Sequence, residues 1–206
     1  MRISLALVAI IIVVFVLQQT DPRITESLKL SSGKALEEPW ILISSMFLHA
    51  DIVHLLFNSL GIALFGSILE EIIGKTKFIA LFFMGGIFAS IVAAFYYPSA
   101  LGASGAIFAI IGATAVLRPL MVVWVSYLPM PMFLAAISWA AADLFGFIIP
   151  SNVAHVAHLG GLFFGIIFAF IIRGKKPLFP HKKKHQDPVS KSEFDNWERS
   201  YLHKQK

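Results

Sequence analysis

The chain has 206 residues, 57% of them hydrophobic and only 14% charged, with a mean hydropathy of +0.77. This composition excludes a water-soluble domain and describes an integral membrane protein. The lack of cysteine excludes disulfides and thiol chemistry, and the net charge of +5 is gathered in "RGKKP" and "HKKKH" beyond the last apolar run, which suits a cytoplasmic tail near anionic headgroups and not a nucleic-acid site.

Apolar runs broken by Gly, Pro and charge predict six membrane helices, at about residues 3–17, 52–73, 78–96, 104–117, 131–148 and 157–172. The first run follows Arg2 as the core of a signal peptide would, but "LQQTDP" after it offers no small residues for cleavage. A retained helix is therefore expected. The segment 18–50 carries Trp40, Phe47 and Leu48 among several charges. It is too polar to span and too apolar for a plain linker, so it is expected to lie partly in the membrane interface. The organisation read from this pattern is one membrane domain over residues 1–172, with a first loop over 18–51, and a basic cytoplasmic tail over 173–206. In the tail, Phe194, Trp197 and Tyr201 follow Ser192 at helical spacing, which fits either a short interfacial helix or a disordered charged segment. Of the 17 Lys and Arg, only Arg23, Lys29 and Lys34 fall on the side of the first loop. The positive-inside rule then puts both termini in the cytoplasm.

Polar groups inside spans are costly, and His54, Asn58, Glu70, Ser104, Asp143, His155 and His158 each ask for a reason. Counting from the basic side at about 1.5 Å per residue puts Ser104 about 21 Å, His158 about 22 Å and Asn58 about 24 Å into a hydrocarbon core of about 30 Å. A hydroxyl, an imidazole and an amide thus share one level, with His54 one turn above Asn58 on the same helix face. These are the parts of an acyl-transfer site: a nucleophile, a base and oxyanion donors. Asp143 counts to near the outer end of the fifth helix and Glu70 to the inner end of the second, so neither is expected at that level. Two ridges of small residues at a spacing of four, Gly105, Ala109 and Ala113 on one helix and Ala157, Gly161, Gly165 and Ala169 on another, are expected to bring those helices close and Ser104 towards His158.

"GASG" opening a membrane helix, "HLLFN" on the second helix and "AHLGGLFFG" on the last, in this order, resemble the rhomboid family of intramembrane serine proteases over most of the chain from Trp40 to about Ile172. The resemblance implies an all-α, polytopic bundle of six transmembrane helices. It implies Ser104 as nucleophile and His158 as general base, a dyad with no acidic third member, and it places Asn58 and His54 at the oxyanion hole. It implies a structural role for Glu70 and a membrane-embedded first loop. No cofactor is expected, and the partners are membrane lipids and transmembrane protein substrates cut in or next to their spans. Two departures stand out. Trp40 is followed by Ile41 where many rhomboids have Arg, and Phe108 stands four residues after the serine where some have Tyr.

Other readings of the same residues exist. Alone, GxSG in a membrane helix marks close packing. His155 and His158 at i, i+3 could join His54 around a metal, although HExxH and cysteine are missing. A proton relay would use the same histidines but needs polar residues continuing towards the cytoplasm, which the inner halves of the fourth and sixth helices lack. A rhomboid relative that binds clients without cutting them is the remaining alternative. His49 is expected to steady the first loop through hydrogen bonds, His155 to line the cavity wall, and Asp143 to bond polar groups of a neighbouring helix.

Overall fold

The computed structural model describes residues 2–125, 127–149, 153–174 and 191–201. The first apolar run forms α1 (Ile3–Thr20), three residues longer than its hydropathy alone predicts, because Asp21 and Pro22 stop it and start α2 (Pro22–Leu28). The first loop goes on through the short strand β1 (Leu30–Ser31) and the single turn α3 (Ile41–Ser44). Asp51 then caps α4 (Ile52–Gly61) by accepting from the His54 N–H at 2.8 Å. A π turn over Ile62–Gly66 carries α4 into α5 (Ser67–Ile73) as one rod. After Gly74, whose φ of 80° breaks the helix, come α6 (Lys75–Tyr96), the strand β2 (Ser99–Ala100) and α7 (Ser104–Leu117). The hairpin β3 (Val122–Val125) and β4 (Leu128–Pro131) leads to α8 (Met132–Ile148), and α9 (His155–Arg173) follows. In the tail, α10 (Lys191–Tyr201) realises the helical reading of the aromatic residues, while the "HKKKH" run lies outside the described residues.

Four of these units are long and apolar enough to cross a membrane: α1, the α4–α5 rod, α6 and α9; α7 and α8 are shorter apolar helices. Large apolar side chains such as Val13, Phe57, Phe95, Phe145 and Ile171 are exposed, as lipid-facing positions should be. The core surrounds α7, where nearly every residue after Ser104 is buried. Its partners α6 and α9 come close because small residues meet across both contacts. A Cβ on Gly105 would lie 2.5 Å from that of Ala89 on α6. On α9, a Cβ on Gly161 would run into the Gly105 carbonyl, and one on Gly165 into the Ala109 carbonyl. The two predicted ridges therefore face each other at backbone distance.

Glu70, an acid inside a span, has its reason in the start of α1. Its carboxylate accepts from the Ile3 N–H at 2.8 Å, the Ser4 N–H at 2.9 Å and the Ser4 hydroxyl at 2.9 Å. A helix leaves its first N–H groups unpaired, and in lipid they need a partner. Glu70 is thus a cap supplied by a different helix. Glu70→Ala is expected to cost about 2 kcal/mol of stability, read as a lower melting temperature in detergent with Glu71→Ala, whose ion pair with Arg2 is exposed, as the neutral control. Equal melting of the two variants would remove the cap.

His49 is almost fully buried, yet neither ring nitrogen has a hydrogen-bond partner among the described residues. The loop is instead steadied by its backbone: the His49 N–H donates to Gln18 Oε1 at 3.0 Å and its carbonyl accepts from Gln18 Nε2 at 3.2 Å. The expectation that the His49 side chain makes those bonds is corrected accordingly. Burial, with the neighbouring His54 adding to it, pushes the His49 ring from an ordinary value of 6.5 down to about 4. Between these two values the unfolded chain binds a proton that the folded chain refuses. Stability should therefore fall by about 3 kcal/mol as pH drops through that window and level off below it. His49→Phe should lack this component; an unchanged acid slope in that variant would refute the assignment.

Candidate active site

Ser104 is the first residue of α7, so its hydroxyl stands at the positive end of the helix dipole, beside N–H groups with no intrahelical acceptor. The loop that delivers it is tied down from the first loop, where the Ser45 carbonyl accepts from the Gly102 N–H at 2.9 Å. β1 pairs with β2 just upstream, Leu30 opposite Ala100. His158 lies in the first turn of α9, whose start is held by Tyr97 as its hydroxyl accepts from the Val156 N–H at 3.1 Å. The outcome is a contact of 2.8 Å between Ser104 Oγ and His158 Nε2. Phe108, one turn below the serine, stacks on the imidazole at 4.4 Å and 8°. The missing phenol thus costs a hydroxyl but not the ring contact.

Asn58 and His54 approach from α4. The Asn58 amide is buried and donates to the His54 carbonyl at 3.0 Å, which holds its side chain along the helix face towards Gly102. His54 Nδ1 accepts a long bond of 3.5 Å from the Ala50 N–H, leaving the ring proton on Nε2. That nitrogen lies 2.8 Å from where a Cβ on Gly102 would be. With φ of 120°, Gly102 is also in a conformation that other residues rarely adopt. A cavity walled by Met46, Gly86, Ala89, Ser90 and Ala157 reaches Ser104.

Asp143 corrects the depth count. It stands near the outer end of its helix and bonds polar groups of a neighbouring helix, both as expected, but it is level with Ser104 and His158: its Oδ1 is 3.0 Å from His158 Nδ1 and 2.7 Å from His155 Nδ1. His155 is the first residue of α9 and packs its ring on Gly146, where a Cβ would collide with it. Nitrogen and oxygen atoms of Asp143, His155 and His158 lie within 4.8 Å of one another, so the histidine pair is joined by this carboxylate, not by His54. A ring N–H from each histidine to Oδ1 joins the three side chains into one hydrogen-bonded unit.

The Rhomboid domain family matches residues 36–175. The chain belongs to the rhomboid family. Among its relatives are YdcA, a rhomboid protein of Bacillus subtilis, 34% identical over 70% of this chain and 72% of its own length. "RHOMBOID-like protein 6, mitochondrial" of Arabidopsis thaliana is 32% identical over 66% of this chain and 44% of its own. "Rhomboid protease GluP" of Bacillus subtilis is 33% identical over 73% of this chain and 29% of its own. The chain thus spans less than half the length of the latter two.

In this rhomboid the sequence pointed to a bond from Asp143 to a neighbouring helix but missed that His158 is its partner, and it missed Gly102 altogether. The signal for Asp143 was in the turn between the last two helices. Asp143 lies five residues before the end of α8, and His158 three residues after the start of α9. Residues at similar distances from a short connection between antiparallel helices face each other, whatever the depth counted from the far ends. Gly102 offered no signal beyond its glycine, because a positive φ is visible only in the backbone.

Proposed function

We propose that this rhomboid is an intramembrane serine endopeptidase that hydrolyses a peptide bond in or next to a transmembrane segment of another membrane protein. The observation that carries the reading is the 2.8 Å approach of Ser104 Oγ to His158 Nε2, which is the distance a general base needs. Ser104 Oγ attacks the scissile carbonyl carbon and His158 takes its proton. The proton passes to the departing amine as the C–N bond breaks. Water, deprotonated by the same imidazole, then hydrolyses the acyl-enzyme. The Ser104 N–H, the Asn58 amide and His54 Nε2 meet the oxyanion, and Asn58→Ala should lower turnover about 100-fold with the bundle still folded.

The bundle crosses the membrane six times in this reading, through α1, the α4–α5 rod, α6, α7, α8 and α9, with both termini cytoplasmic and the site open to the opposite side. At 14 residues, α7 is about 21 Å long in a core of about 30 Å, so the serine sits below the outer surface where water can descend to it. The small side chains around the cavity favour a small substrate residue at the cut. An internally bonded helix must also unwind to offer its carbonyl, so helix-weakening segments should be cut best.

The test is cleavage of a transmembrane reporter by the purified protein, with fluorophosphonate labelling mapped to the modified residue. Labelling at Ser104 and loss of cleavage in Ser104→Ala are expected. Cleavage that survives Ser104→Ala would remove the assignment, and a wild type that neither cuts nor labels would favour a client-binding role.

A further inference from the structure

We propose that Asp143 is a positioning residue for His158, so that the site works as a Ser–His–Asp relay with His155 clamping the carboxylate. The proposal rests on the reading of Ser104 and His158 given above. An ionised carboxylate only accepts hydrogen bonds, so the 3.0 Å contact with His158 Nδ1 places that ring's proton on Nδ1 and turns the Nε2 lone pair towards Ser104. Once Nε2 has taken the serine proton, the imidazolium stands beside a negative charge in a site where the two side chains are 12% and 8% exposed. Little water is there to screen the pair. Asp143 remains ionised throughout, and the proton moves only between Ser104, His158, the leaving amine and water.

Three further observations separate this arrangement from a plain tie between helices. Asp143 Oδ2 is buried with no partner among the described residues, so no donor on that oxygen dilutes the charge offered to His158. The second bond to Oδ1, from His155 Nδ1 at 2.7 Å, restrains the carboxylate from turning away. The seat for His155 is Gly146, three residues after Asp143 and hence on the same face of α8. The other groups around the His158 ring are Ser104 and Phe108 on α7 and, as a charge neighbour, His54 on α4. None of these is an acid.

The experiment uses the full chain in detergent. Turnover and KM on a transmembrane reporter are measured from about pH 5 to 9 for wild type, Asp143→Asn, Asp143→Glu, His155→Gln and Ser104→Ala. Asp143→Asn keeps the shape and an acceptor but removes the charge. It should lose on the order of 100-fold or more in turnover with KM little changed, because the imidazolium has lost its partner. Asp143→Glu should recover part of that loss, and His155→Gln should lose less than Asp143→Asn. Turnover in Asp143→Asn within about threefold of wild type overturns the proposal. A second measurement needs no Asp143 variant: 15N spectra of histidine-labelled Ser104→Ala protein, with His158→Gln for assignment. The neutral His158 ring should carry its proton on Nδ1, and a proton on Nε2 overturns the proposal. Cleavage persisting in Ser104→Ala would instead sink the nucleophile, leaving the ring measurement to judge Asp143 by itself.

Discussion

His158→Ala is expected to lower turnover by about 10⁴- to 10⁶-fold while the bundle stays folded. Among the described residues the imidazole is the group hydrogen-bonded to Ser104 Oγ that can take its proton, and a neutral serine hydroxyl is a weak nucleophile. What the alanine loses structurally is the stacking on Phe108 and the hydrogen bonds to Asp143 and Ser104, together about 3 kcal/mol. The small-residue contact between α7 and α9 is made by other residues, from Gly105 and Ala157 onward, and keeps its side chains. Cleavage rate and fluorophosphonate labelling should therefore vanish together with only a modest shift in melting temperature. Turnover above about one hundredth of wild type would mean that another base serves Ser104.

Gly165→Val should have the opposite signature: loss of the fold, with activity lost as a consequence. The new side chain would begin inside the Ala109 carbonyl, which is backbone of a helix buried on nearly every side. Neither a rotamer change nor a slide along the ridge relieves such an overlap, because Gly161 meets the Gly105 carbonyl one turn earlier. The helices must separate, opening voids along both, at a cost above about 4 kcal/mol. Ile171→Val, on an exposed face of the same helix, is the control and should change stability by less than about 0.5 kcal/mol. A monodisperse Gly165→Val protein melting with wild type would show that the contact can yield.

What the sequence could and could not reveal follows from the range of the forces involved. The limits of α7 were legible because Ser104 and Arg118 bracket an apolar run, and hydropathy is local. The shared level of Ser104, His158 and Asn58 followed from rise per residue. Glu70 could be recognised as an acid needing a reason, but its partners Ile3 and Ser4 are more than sixty residues away and declare themselves only once α1 lies beside α5. For His49 the residue was right and the atoms were wrong, because a sequence does not say whether side chain or main chain makes a bond. Asp143 was misplaced because depth was counted from helix ends on one side alone.

The π turn over Ile62–Gly66 has a consequence in terms of phase. An α-helix advances about 100° per residue, and a π turn holds one residue more than the α turn it replaces. Asn58 above it and Glu70 below it are both buried, one facing the loop before Ser104 and the other the start of α1. Closing the π turn to an α turn with no residue removed would leave a continuous apolar helix yet turn one half against the other by about 100°, whereas deleting one residue between Ile62 and Phe65 along with that closure would keep the halves in phase. In the rotated helix Asn58 and the cap on α1 could no longer be in place together. The π turn absorbs the extra residue as angle, not length, and so couples the orientation of Asn58 and His54 to the seating of the first helix.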